Sequence, residues 1–283
     1  MIDSHTHLIA EDTDEYISTL VNLMDQNEVR GAVLFGCPGA EEETDSEVEK
    51  AVIKYRSRFI PFSSTVDFTW DETLLEVYLR KLDTEFWKGV GEIFLDCTND
   101  EYVFWKDRKE HEQKFLKPVP KEKEENPVYK KIFEYCGNAG LPIMVHCRDI
   151  EVMKRALAKF KRTKFIWAHA DHGVFHSVIE SLMNEVTNLY CDFGVQFRFE
   201  GEKWLSGSAE QWLLDKVDGW RKICQLFPKR VVWGTDRFTW DDLDPDNFKM
   251  SLDVWQKFAQ LLPKDLAFDI SEGNILELTK WEW

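Results

Sequence analysis

Short apolar runs alternate along the chain with longer amphipathic stretches. Runs that read as strands fall near Met1–His7, Gly31–Gly36, Phe59–Phe68, Val90–Asp96, Pro142–Cys147, Lys164–Ala170, Leu189–Val195 and Val231–Asp236. Many are almost continuously apolar, as parallel strands buried on both faces must be. The stretches between them carry helical patterning over Thr13–Asn27, Thr44–Arg56, Asp71–Leu82, Val128–Ala139, Ile150–Phe160, His176–Val186 and Ala209–Phe227. Asp71 suits a helix N-cap, and Gly140 stands where a helix would stop.

Strand and helix alternating through short connections imply βα units and a parallel sheet. About eight such units predict an α/β fold closed into a (β/α)8 TIM barrel, a single domain spanning 1–283. No Gly-, Pro- or Ser-rich stretch marks a linker. Three segments exceed plain connections: Cys97–Asn126, with the charged run Lys117–Glu125, then Gln196–Ser208 and Arg237–Phe248. They follow the fourth, seventh and eighth strands. Loops after strands build the active-site face of this fold, so they are expected as lids or pocket walls. The plain alternative for the Lys/Glu run is a surface loop.

The net charge of −16 opposes nucleic-acid binding, which draws much of its affinity from cationic contacts to phosphate. The most basic stretch, Lys154–Lys164, reads as a solvated helix face. Six cysteines occur without zinc-finger or redox-motif spacing, the chain opens directly into a strand rather than a signal peptide, and no apolar run spans a membrane. A cytoplasmic setting is expected, with a small molecule as partner and no membrane.

The candidate chemistry lies at strand ends. His5 and His7 are two apart on the first strand, so both imidazoles can face the barrel interior. His-x-His alone is a weak signal. It gains weight from Glu92 on the fourth strand, His146 closing the fifth, His169 closing the sixth and Asp236 closing the eighth. Each is an ionisable group in an apolar run, and burial there demands a charge partner or hydrogen bonds. Six converging at one barrel mouth call for a cation. Imidazoles and carboxylates suit zinc, with manganese, iron or nickel as alternatives. Such an ion lowers the pKa of water from about 15.7 to about 7, and Asp236 is placed as general base.

Arg148, two residues beyond His146, should lean toward the same mouth and could hold a carboxylate or phosphate; a salt bridge to Asp149 or a nearby loop acid is the alternative. Arg237 and His172 are further candidates for substrate contact, with Arg198 behind them, and His176 lies just beyond His172. Cys147 points to the opposite strand face from His146 and reads as core. No phosphate loop, nucleophile elbow or dinucleotide fingerprint stands out.

This constellation resembles the amidohydrolase superfamily over essentially the whole chain, from Ile2-Asp-Ser-His-Thr-His-Leu8 to Ile270-Ser-Glu-Gly-Asn-Ile-Leu-Glu-Leu278. Two branches compete. Gly91-Glu92-Ile-Phe-Leu-Asp96 and His146-Cys-Arg-Asp149 are similar to TatD-type deoxyribonucleases, where the fourth-strand Glu also binds metal. Leu141-Pro-Ile-Met-Val-His146, Ala168-His169 and Gly234-Thr-Asp-Arg237 are more similar to amidohydrolase-related enzymes, which hydrolyse small acids and lactones or decarboxylate without oxidation. Ala168-His169-Ala-Asp-His172 departs from the TatD pattern, and the acidic charge opposes DNA.

The resemblance implies one or two metal ions and a homodimer. The leading expectation is hydrolysis of a small anionic ester, amide, lactone or phosphoester by metal-activated water. Decarboxylation and nuclease activity are the alternatives. Some superfamily members place a carboxylated Lys on the fourth strand. Here the nearest, Lys88, stands at the wrong end of it, and Glu92 can supply the bridging carboxylate instead. His5, His7, Glu92 and Asp236 would then hold one ion, and Glu92, His146 and His169 a second; a one-ion site without Glu92 is the alternative.

Overall fold

In the computed structural model, eight parallel strands lie side by side in chain order. The structure describes residues 1–8, 13–36, 43–64, 71–95, 126–170 and 174–283, with the side chains of residue 43 and residues 195–200 excepted. The strands are β1 (Ile2–Leu8), β2 (Gly31–Gly36), β3 (Phe59–Ser63), β4 (Gly89–Phe94), β5 (Ile143–His146), β6 (Phe165–Trp167), β7 (Leu189–Phe193) and β8 (Val231–Trp233). Every expected strand is present, in a nearly closed (β/α)8 barrel. The described helices are α1 (Thr13–Gln26), α2 (Glu43–Lys54), α3 (Glu72–Leu82), α4 (Pro127–Ala139), α5 (Ile150–Lys159), α6 (His176–Glu185), α7 (Val195–Ser206), α8 (Gln211–Leu226), α9 (Pro245–Ala259), α10 (Lys264–Phe268) and α11 (Asn274–Thr279).

Strand side chains alternate between two apolar layers. Val33, Ile60, Met144, Ile166 and Val232 fill the barrel interior, and Ile275 of α11 packs with them. Their neighbours Leu34, Phe59, Val145, Phe165 and Val231 face outward and pack beneath the helices. This two-sided burial is what removes polar residues from the strands. Helix ends follow local chemistry. Asp71 caps α3 by accepting from the Leu74 amide at 2.9 Å. Gly140 ends α4 in the left-handed region at φ 76°.

The barrel closes where β1 meets β8. The His7 amide donates to the Arg237 carbonyl at 2.8 Å, and Ser4 Oγ donates to the Trp233 carbonyl at 2.7 Å. One buried carboxylate gathers the rest of the seam. Asp3 accepts from the Thr235 amide at 2.9 Å and Thr235 Oγ1 at 2.5 Å, and it pairs with the Arg237 guanidinium.

The elements differ from the sequence pattern in two ways. β6 and β8 end at Trp167 and Trp233, and just beyond them His169 and Asp236 adopt left-handed backbone at φ 36° and 52°. Residues in that region cannot continue a ladder. Helices also occupy two segments expected as loops. α7 covers most of Gln196–Ser208; Gly201 in its middle is a weak helix former, but Val254 packs directly against it. α9 begins inside Arg237–Phe248 and buries Phe248, Leu252, Trp255 and Phe258 at helical spacing, with Asp244 as its N-cap. Most of the 97–126 segment, including Lys117–Glu125, lies outside the described residues.

Candidate metal centre

The six residues expected from the strand ends converge on Glu92 as two overlapping groups. His5, His7, Glu92 and Asp236 bring one donor atom each within 4.8 Å of one another, and so do Glu92, His146 and His169. In the first group, His5 Nε2 and His7 Nε2 are 3.2 Å apart, and each lies 3.2 Å from Asp236 Oδ1. Glu92 Oε2 completes it at 3.8 Å from His5 and 3.6 Å from His7. In the second, Glu92 Oε1 lies 3.5 Å from His146 Nδ1 and 3.2 Å from His169 Nε2. One carboxylate therefore offers one oxygen to each group.

Strand geometry explains the convergence. His5 and His7 share a face of β1. Gly91 precedes Glu92 at φ +134°, and a Cβ on it would sit 2.4 Å from the Met144 carbonyl. Only glycine lets β4 approach β5 this closely with that backbone. The left-handed turns at His169 and Asp236 put their side chains at the mouth, at a cost of order 1–3 kcal/mol each. Lys88 sits at the other end of β4, with Nζ 5.9 Å from the Trp281 ring. Lys88 therefore stands apart from the cluster.

The electrostatics fit a cation. His5, His7, Glu92, His146 and His169 are all 7% exposed or less. Burial alone would push the Glu92 carboxyl up, but the facing imidazoles of His146 and His169 outweigh it and hold the group well below the ordinary range. Asp236 is likewise pushed up by burial and brought well below its ordinary value, chiefly by His5. Burial lowers His5, yet Asp236 and Asp192 raise it well above its ordinary value. Glu92 Oε1 is buried and accepts no hydrogen bond among the described residues. A buried carboxylate oxygen without a hydrogen-bond donor, facing two imidazole nitrogens, fits a cation between them. The donor set is all nitrogen and carboxylate oxygen, the chemistry that zinc and its neighbours accept.

The surrounding candidates divide. Arg148 is half-buried, two residues beyond His146, while Asp149 caps α5 through the amides of Glu151 and Val152. Arg237 does not face the mouth. It is 3% exposed, pairs with Asp3, donates to Ser251 Oγ at 2.6 Å and stacks 4.0 Å over Phe248. Its guanidinium joins β1, β8 and α9, which corrects the expectation of a substrate contact. His172 and the Arg198 side chain lie outside the described residues. His176 packs 5.5 Å from Trp220, away from the cluster. Cys147 is buried in the outer layer, as expected.

Two carboxylates escaped the sequence reading. Asp192 of β7 meets His5 Nδ1 at 2.7 Å, and Asp3 anchors the residues flanking Asp236. Asp192 carries the same signal as the others, an acid inside an apolar strand. Asp3 stands next to the His-x-His pair it supports.

The family model described as amidohydrolase matches residues 2–278. No curated protein sequence matches the chain. Solved structures similar in fold include an amidohydrolase from Burkholderia multivorans with bound zinc, at 12% identity, covering 99% of both chains with a TM-score of 0.63. A probable 2-pyrone-4,6-dicarboxylic acid hydrolase from Acinetobacter baumannii, with citric acid bound, also matches at 12% identity, 99% coverage of both chains and a TM-score of 0.63. A TatD homologue from Escherichia coli matches at 15% identity, covering 100% of this chain and 98% of its own, with a TM-score of 0.65. At such identities these likenesses are of fold.

Proposed function

The chain belongs to the amidohydrolase family, and from that premise we propose that it is a two-metal hydrolase of a small anionic ester, amide, lactone or phosphoester. The observation that carries the reading is Glu92, whose two oxygens face two separate sets of imidazoles. His5, His7, Glu92 and Asp236 would hold one ion; Glu92, His146 and His169 would hold the other. Zinc is the first choice by donor chemistry. Divalent ions in such a cage supply Lewis acidity and acidify water near neutral pH.

The protein's own groups do the rest. Asp236 is more open than Glu92, with its side chain 13% exposed, and it is held ionised by the imidazoles around it. It takes the proton of the attacking water and returns it to the leaving group. Phe94, Arg148 and Phe238 each stand two residues beyond a member of the cluster and are half-buried. The Phe94 ring meets His146 edge-on at 4.8 Å, and Phe238 meets His7 at 6.3 Å. A cation and two aromatic side chains within two residues of the cluster would suit a substrate with a carboxylate and a flat apolar body. A carboxylated lactone of the kind named for the Acinetobacter relative fits that description.

The net charge of −16 weighs against the nuclease alternative. No helix among the described residues is long and apolar enough to cross a membrane. The test is metal content by mass spectrometry together with turnover of carboxylated lactones and esters, before and after chelation. Two equivalents of metal in the active protein and activity restored by zinc are expected. Full activity at one equivalent would reject the two-metal reading, and carbon dioxide release without water uptake would establish the decarboxylase instead.

A further inference from the structure

We propose that Asp192 is the positioning residue for His5 and thereby sets how tightly the first donor group holds its cation. The inference rests on the metal-centre reading above. His5 is completely buried, and its two ring nitrogens serve different partners. Nε2 faces His7, Asp236 and Glu92. Nδ1 lies 2.7 Å from Asp192 Oδ2. A hydrogen on Nδ1, donated to Asp192, leaves the lone pair of Nε2 directed into the cluster. A carboxylate in that position also makes the imidazole a stronger electron donor than a neutral acceptor would. His7 provides the contrast within the same group, since its Nδ1 meets the neutral carbonyl of Gly36 at 3.1 Å.

The surroundings reserve Asp192 for this task. It is 2% exposed, and its second oxygen, Oδ1, has no hydrogen-bond partner among the described residues. Gly234 of the β8 end packs against both members of the pair. A Cβ there would lie 2.5 Å from His5 Cβ and 2.8 Å from Asp192 Oδ1. Glycine is what allows the imidazole and carboxylate to meet beside the β8 backbone. The Asp192 carbonyl accepts from the Ala170 amide at 3.2 Å, which ties it to the strand end that carries His169.

Zinc titrations of the metal-stripped full chain, in competition with a chromophoric chelator, test the proposal. Asp192→Asn keeps an acceptor oxygen but removes the charge, whereas Asp192→Ala removes both. Expected losses of affinity in the tighter of the two binding phases are about 10-fold for Asn and about 100-fold for Ala, the range found for such outer partners of a ligand. The weaker phase should stay within about twofold, which a general loosening of the fold would not allow. Cobalt substitution should show an altered visible spectrum for the tighter phase alone. Gly234→Ala keeps both residues and wedges between them, so it tests the pair even if Asp192→Ala does not fold; it should weaken the same phase. Wild-type affinity in these variants, or equal loss in both phases, overturns the role of Asp192. A wild-type chain that binds no zinc overturns the metal-centre reading, and this inference with it.

Discussion

The two donor groups that share Glu92 are built differently. The β1/β8 side offers four donor residues, two of them carboxylates, whereas the β5/β6 side offers three with one carboxylate. On the β1/β8 side the scaffold is itself ionic: Asp3 and Arg237 seal the strands, and Asp192 holds His5. On the β5/β6 side the imidazoles of His146 and His169 pack on each other at 4.6 Å, with Phe94 against His146. A four-donor group can surround an ion, and a three-donor group leaves room for water and substrate. One group is braced by buried ionic partners and the other by ring packing, with Glu92 common to both.

Removing the shared carboxylate is the strongest way to break that division. Glu92→Ala should empty both sites and lower turnover by more than about 10⁴-fold, beyond what one acid–base group supplies. Metal analysis and hydrolysis rates check this; a variant that still holds two equivalents would remove Glu92 from the bridge. Asp236→Asn should fold, keep metal on the β5/β6 side and lose about 10²–10⁴-fold in kcat. Near-native kcat in a folded variant would assign the proton transfer elsewhere.

Asp3→Ala attacks the scaffold instead of the donors. It leaves the Arg237 guanidinium buried without its carboxylate, so a loss of about 3–5 kcal/mol is expected in chemical denaturation. A change below about 1 kcal/mol would mean that the β1/β8 seam does not depend on this pair.

A smaller effect sharpens the contrast through pH. Burial lowers His5, but the Asp236 and Asp192 carboxylates outweigh it and raise it well above its ordinary value. A cation on the β1/β8 side competes with protons for these donors, so affinity should fall as pH is lowered. Calorimetry in two buffers of unequal ionisation enthalpy should report protons released on zinc binding. Identical heats would mean that zinc displaces no proton there.

The smallest effect lies outside the centre. Burial and the nearby Lys216 lower His176 to about 4. Its unfolded form takes a proton below about 6.5 while the folded form resists until about 4, so stability drains as pH falls through that window. Allowing for its partial exposure, the loss should be about 1–2 kcal/mol, and a His176→Gln variant should not show it.

Much of this was legible in the residues themselves. Continuous apolar runs revealed all eight strands, because a strand buried on both faces cannot carry polar residues at random. The same rule exposed the site: His5, His7, Glu92, His146, His169 and Asp236 are the ionisable groups that such runs would otherwise exclude. By that logic Asp192 was equally visible, and α9 shows its helical period once Asp244 is taken as its cap.

Other features belong to the tertiary structure alone. Arg237, next to Asp236 in sequence, turns away from the mouth because Asp3 lies across the barrel seam to receive it. His and Asp tolerate left-handed backbone better than most residues, but it is the surrounding barrel that holds His169 and Asp236 in it. That Glu92 faces two sets of imidazoles depends on the approach of β4 to β5 at Gly91. The residue pattern marked which ionisable groups sit in buried strands, since burial of charge is costly everywhere in the chain. Only the closed barrel decided which nitrogen meets which oxygen, because those distances are set by strands far apart in sequence.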